Sequence, residues 1–106
     1  MKDVVIIGGG RTPFVKAGDV LFDTPAPELG RLVVQELLYR TDVLPSQIDE
    51  LICGNVASPV DAANVARVIS LRAGIPKDRV AHTVNRNCAS GMESISQAAD
   101  RIRSGQ

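Results

Sequence analysis

A chain of 106 residues can bury one modest core, and its 12 basic and 12 acidic side chains cancel. With aromatics at 3% and no basic cluster, it has neither the charge nor the stacking groups of a nucleic-acid-binding surface. The apolar run at residues 4–7 is far shorter than a membrane span, and Gly8-Gly9-Gly10-Arg11 interrupts it too early for a signal peptide.

Residues 4–7 (Val-Val-Ile-Ile) are β-branched throughout and stopped by glycines, the pattern of a strand buried on both faces. The glycines do not form a dinucleotide fingerprint. G-x-G-x-x-G starting at Gly8 needs glycine at position 13, where Pro13 stands, so a backbone role explains them better. Residues 11–27 read as loop, punctuated by Thr12-Pro13, Ala17-Gly18, Pro25 and Pro27. Over 28–40 the apolar positions Leu29, Leu32, Val33 and Leu37, flanked by Val34 and Leu38, line a helical face. Glu28 and Arg40 at its two ends suit the helix dipole.

A turn around Pro45 leads to a second buried strand at 51–53, and Cys53, inside that run, reads as a packing residue. The period over 62–73 predicts a helix facing inward with Val65, Ile69 and Ala73, closed by Gly74 and Pro76. Arg67 and Arg72 on that helix read as solvated. Residues 80–84 form the third predicted strand. Met92, Ile95, Ala99 and Ile102 then recur at helical spacing up to Gly105, a suitable C′ glycine. The order β-α-β-α-β-α places the chain in the α/β class with a parallel sheet. No repeat, low-complexity tract or internal domain boundary is visible.

The joint between the third strand and the third helix carries the chemistry. Cys88 falls there, beside helix N–H groups that have no intrahelical acceptor and carry partial positive charge. A thiol so placed is a candidate nucleophile. Ala89, Ser90 and Gly91 leave room for a bulky substrate to approach the sulfur. With no C-x-x-C spacing and no secretory segment, both cysteines read as free thiols of a reducing compartment. The chain therefore reads as cytoplasmic, or as the mature part of an organellar protein. The one histidine, His82, lies six residues before the cysteine. At ~3.3 Å per residue a straight strand puts it about 20 Å from the sulfur, which makes it structural. No other residue offers an obvious base.

Asn85-Arg86-Asn87-Cys88-Ala89-Ser90-Gly91-Met92-Glu93-Ser94-Ile95 resembles the N-x-x-C-x-S-G nucleophile motif of the thiolases. Arg11-Thr12-Pro13-Phe14, Gly54-Asn55-Val56 and Asn64-Val65-Ala66-Arg67 resemble further landmarks of that family, in its order and near its spacing. Ala81-His82-Thr83-Val84 and Ser104-Gly105-Gln106 resemble most the long-chain thiolases that partner multifunctional β-oxidation enzymes.

The resemblance implies a layered αβαβα fold of which residues 1–106 are an incomplete N-terminal domain, the C-terminal half being absent. It implies acyl transfer between coenzyme A thioesters through a cysteine acyl-enzyme, either thiolytic cleavage of a 3-ketoacyl-CoA or condensation of two acetyl-CoA. Cys88 is then the acyl-accepting nucleophile, and its backbone N–H one donor of the oxyanion hole. The catalytic histidines, a second cysteine and the coenzyme A loop belong to the half beyond Gln106, so the fragment itself is expected to be inactive. Val15 stands where the family is small, so contacts to that loop do not transfer. No permanently bound cofactor or metal is implied; coenzyme A and acyl-CoA are substrates, and the assembly is a homo-oligomer, dimer or tetramer. Two other readings are a ketoacyl synthase relative and a non-catalytic thiolase-like subunit in which Cys88 only packs.

Overall fold

The structure is a computed structural model that describes residues 2–106. Helix α1 spans Ala26–Thr41, strand β1 Glu50–Gly54, helix α2 Val65–Arg72, strand β2 Val80–Val84 and helix α3 Ser90–Ser104. A short 3₁₀ turn, Pro45–Gln47, leads into β1.

The two strands pair in parallel, with Glu50 opposite Val80 and Gly54 opposite Val84. Such a pair needs a crossover, and α2 supplies it: it packs on both strands and on α1, while α3 lies mainly over β1. The core is centred on α2, where Ala62, Val65 and Ile69 are buried and Val34, Leu51, Cys53 and Val68 close around them. Val65, Ile69 and Ala73 face inward as the period predicts, and Leu71 is exposed. Gly30 on α1 lets the two helices approach, since a Cβ there would lie 2.7 Å from Ile69 Cγ1.

Local chemistry sets the boundaries. Helix α1 starts behind Pro25 with Pro27 in its first turn, where a missing N–H is harmless. Arg31 pairs with Glu28 in the same turn and holds that carboxyl below the usual carboxylate range. Helix α2 starts at residue 65, later than its period suggests, because Asn64 is its N-cap and accepts the Arg67 N–H at 3.4 Å. Asn64 also donates to the Ala81 carbonyl (3.1 Å) and accepts the Thr83 hydroxyl (2.8 Å), tying the cap to β2. Gly105 ends α3 at φ 81°, the left-handed conformation expected of a C-terminal glycine.

The first expected strand is not formed. Residues 4–7 are irregular, with Val5, Ile6 and Ile7 exposed at 73%, 82% and 69%, so the order among the described residues is α-β-α-β-α. A β-branched run becomes a strand only when a neighbour takes its N–H and C=O groups, and the described sheet holds β1 and β2 alone. The α/β class and the parallel pairing stand.

Candidate active site

Strand β2 ends at Val84 and α3 begins at Ser90, so five residues turn the chain from sheet to helix. Short polar side chains hold this turn. Asn85 Oδ1 accepts the Asn87 N–H (2.9 Å), and its amide nitrogen lies 3.5 Å from the Val56 carbonyl on the loop after β1. Asn87 adopts φ 49°, a left-handed conformation that asparagine tolerates better than most residues. Ser90 is buried; its Oγ accepts the Arg86 N–H (2.8 Å) and donates to the Asn87 carbonyl (2.7 Å). The Ala89 N–H closes the turn on the Arg86 carbonyl at 3.0 Å. Apart from the Val56 carbonyl, these atoms all lie within three residues of Cys88, which is itself exposed.

The helix beyond the turn is seated by a close backbone approach. A Cβ on Gly54, at the end of β1, would meet the Ser90 carbonyl and stand 2.6 Å from the Gly91 nitrogen. Only glycine lets the start of α3 lie this deep on the sheet. Sequence reasoning treated Gly54 as a strand stop and Ser90 as a small residue giving space. Both instead fix the turn that carries Cys88. A glycine closing a buried strand and a serine at a helix start were the signals available.

Cys53 differs in every respect. It is half-buried on β1 behind α2, its Sγ is 3.7 Å from the Gly54 carbonyl, and burial pushes its thiol up. It is a packing residue, as expected. His82 likewise makes no bond to the Cys88 thiol. Nδ1 is 2.8 Å from Glu50 Oε1, and Nε2 is 3.1 Å from Gln97 Oε1, so both ring nitrogens are engaged away from the thiol. Gln97 donates to Glu93 (3.1 Å), and Glu93 pairs with Arg86 at 2.7 Å, inside the turn that carries Cys88. The Arg86 guanidinium, and then the Gln97 amide, hold the Glu93 carboxyl below its ordinary value.

Arg67 corrects an expectation. Instead of lying free in solvent, it donates to the Arg79 carbonyl (2.9 Å) and the Lys77 carbonyl (2.7 Å), clamping the loop that feeds β2. The Arg11-Thr12-Pro13-Phe14 stretch is irregular, with Phe14 at 99% exposure. Thr12 shares with Cys53 and Gly54 a cavity of about 370 Å³ along β1. No cluster of three or more His, Cys, Asp or Glu side chains suited to a metal occurs among the described residues. None of the described helices is long and apolar enough to cross a membrane.

The site thus presents an accessible sulfur on a rigid turn at a helix start, suited to accept an acyl group. No base within the described site reaches it.

Residues 4–106 match the family described as "Thiolase, N-terminal domain". The chain is 40% identical over 105 residues to an acetyl-CoA acetyltransferase of Cupriavidus necator, covering 99% of this chain and 27% of that protein. It is 39% identical over 102 residues to a 3-ketoacyl-CoA thiolase of Photorhabdus laumondii, covering 96% of this chain and 23% of the relative. Among solved structures, the Acat5 thiolase of Ascaris suum in complex with coenzyme A superposes with TM-score 0.94 at 38% identity, over 98% of this chain and 27% of that one. The chain therefore spans about a quarter of the length of the relatives it matches.

Proposed function

The chain belongs to the thiolase family, as its N-terminal domain, and from that premise we propose that it carries the nucleophile of an acyltransferase acting on coenzyme A thioesters. Cys88 is the acyl acceptor. In the cleavage direction its thiolate attacks the 3-keto carbonyl of a 3-ketoacyl-CoA and the carbon–carbon bond breaks. The electron pair leaves as the enolate of acetyl-CoA and takes up a proton. Free coenzyme A then attacks the thioester and restores the thiol. In the condensing direction the same sulfur carries an acetyl group. Splitting one carbon–carbon cleavage into two acyl transfers is what covalent catalysis offers here.

The observation that carries this reading is the exposed sulfur of Cys88 on a turn held by Asn85, Asn87 and Ser90. Its backbone N–H, in the same rigid turn, is the candidate oxyanion donor. The relatives' names cover both directions, so the reading assigns a reaction and leaves the long-chain, multifunctional-complex type as one version of it. Coenzyme A and acyl-CoA enter as substrates, with no permanently bound cofactor. A base must come from outside residues 1–106, because both nitrogens of His82 are engaged elsewhere. The 106-residue chain alone should not turn over acetoacetyl-CoA; turnover by the purified chain would refute that part. Met92, Ile95 and Ile102 stay exposed on α3, which supports burial against further protein, in a longer chain and in a homo-oligomer, dimer or tetramer.

Mass spectrometry of the full-length protein after mixing with acetyl-CoA tests the central claim. An adduct of acyl mass should map to Cys88 and vanish in Cys88→Ser and Cys88→Ala. An adduct elsewhere, or none, would leave the non-catalytic subunit in its place.

A further inference from the structure

Helix α3 lies on the sheet with its polar side. Glu93, Gln97 and Arg101 recur every four residues on one face, are half-buried and are bonded there, while Met92, Ile95 and Ile102 point outward at 67%, 55% and 42% exposure. The bonds join end to end. Arg101 pairs with Glu50 (3.2 Å), Glu50 with His82 (2.8 Å), His82 with Gln97 (3.1 Å), Gln97 with Glu93 (3.1 Å) and Glu93 with Arg86 (2.7 Å). This chain of six side chains crosses β1, β2 and α3 and ends in the turn that carries Cys88.

Apolar contacts have little directional preference of their own and fix the rotation of a helix only through the fit of shapes. Hydrogen bonds between fixed donors and acceptors are not tolerant, and this connected network, half-buried at its centre and open at Arg101 (41%) and Arg86 (71%), favours one arrangement. Placing charged groups under a helix also costs desolvation that apolar residues of similar size would avoid. Side-chain exposures are 17% at Glu50 and 23% at Glu93, and at Glu93 the bonds from Arg86 and Gln97 outweigh the desolvation.

We infer that His82 and Gln97 are positioning residues for Cys88: they fix the rotation of α3 against the sheet and, through Glu93 and Arg86, the direction in which the nucleophile turn presents its sulfur. Neither touches the thiol. His82 is the centre of the device, because its two ring nitrogens, each donating when both are protonated, join Glu50 of β1 to Gln97 of α3, and Gln97 passes the constraint on to the turn. The inference rests on Cys88 being the nucleophile, and it adds residues outside the motif that suggested that role.

The test uses His82→Leu and Gln97→Leu, singly and together, each removing hydrogen bonds while keeping an apolar side chain of fair size. Two readouts are taken in the full-length protein: the rate at which iodoacetamide alkylates Cys88, and kcat and KM of acyl transfer per Cys88 titrated. Each single variant should lower the alkylation rate and kcat by about three- to tenfold, the consequence of one or two hydrogen bonds of ordinary net strength. KM should hold, and the double variant should be no worse than the singles, since members of one network are not additive. Unchanged rates with a lowered Tm would reduce the network to a structural role and overturn the inference, as would fully additive losses. Should His82→Leu not fold, Gln97→Leu decides the matter alone. If wild type shows no acyl adduct on Cys88, the nucleophile reading fails by that result, whereas the alkylation rates still read whether the network orients the turn.

Discussion

The two cysteines sit at the ends of two parallel strands that pair residue for residue, and they are different chemical groups. Cys53 is part of β1, half-buried behind α2, with its thiol pushed up by burial. Cys88 stands four residues beyond the last residue of β2, exposed, on a turn that the Asn85 and Ser90 side chains hold. What separates them is the backbone. At β1 the chain leaves through Gly54 and Asn55 with no helix to start, so the thiol stays in the packing. At β2 the chain must reverse into α3, and the reversal lifts the sulfur clear of the sheet. The difference in exposure belongs to the junction and not to the residue type.

The largest contrast should be kinetic. In the full-length protein, Cys88→Ala should lower acyl transfer by at least about 10³-fold, as other nucleophile deletions do, with little change in Tm because the side chain is exposed. Cys53→Ala should do the reverse, leaving turnover near wild type and costing about 1 kcal/mol of stability for a half-buried packing atom lost. Comparable activity in the two variants would erase the distinction. Brief alkylation of the folded chain near neutral pH, followed by peptide mapping, should modify Cys88 at least about tenfold faster, given the exposure of one thiol and the burial of the other. Raising the pH should bring Cys53 into reaction late. Its folded thiol ionises above its unfolded value, so the associated stability is whole below the unfolded value and fades as pH rises through the folded one.

Gly54→Ala attacks the junction itself. The added methyl meets backbone of Ser90 and Gly91, which cannot swing aside as a side chain would. A loss of about 1–3 kcal/mol, seen as a lower denaturant midpoint, is expected from such overpacking. A neutral result would mean that α3 can slide on the sheet. Ser90→Ala should cost a similar or smaller amount, about 1–2 kcal/mol, because the Arg86 N–H then lacks its acceptor. The smallest effect should come from acid. The Arg86 guanidinium holds Glu93 below its ordinary carboxylate value, so this contribution is present above that value and is lost as pH falls through the folded one. In hydrogen exchange, the Arg86 and Asn87 amides should lose protection in that acidic range; unaltered protection there would detach the ion pair from the turn.

Much of this was legible in the residues. Strand β2 occupies the predicted positions 80–84, and the spacing of Asn85, Cys88, Ser90 and Gly91 marks the strand-to-helix turn with its candidate nucleophile. Helix α1 and the αL stop at Gly105 follow from proline placement, apolar period and glycine's freedom at positive φ. The failures have one cause. Residues 4–7 carry as strong a β signal as 51–53, yet only the latter has a strand beside it. Arg67 looked solvated because the carbonyls it binds, at Lys77 and Arg79, come from another part of the chain.

By itself, then, the sequence determined the order and type of its central elements, where each stops, and which residue is the candidate nucleophile. Those depend on backbone preferences and on periods within a dozen neighbouring residues. The tertiary structure alone decided which β-branched run found a partner, that α3 turns its polar side to the sheet, and that Gly54 bears the weight of the Cys88 turn. Each of these is a contact between residues far apart in the chain, and no local preference encodes the identity of a distant neighbour.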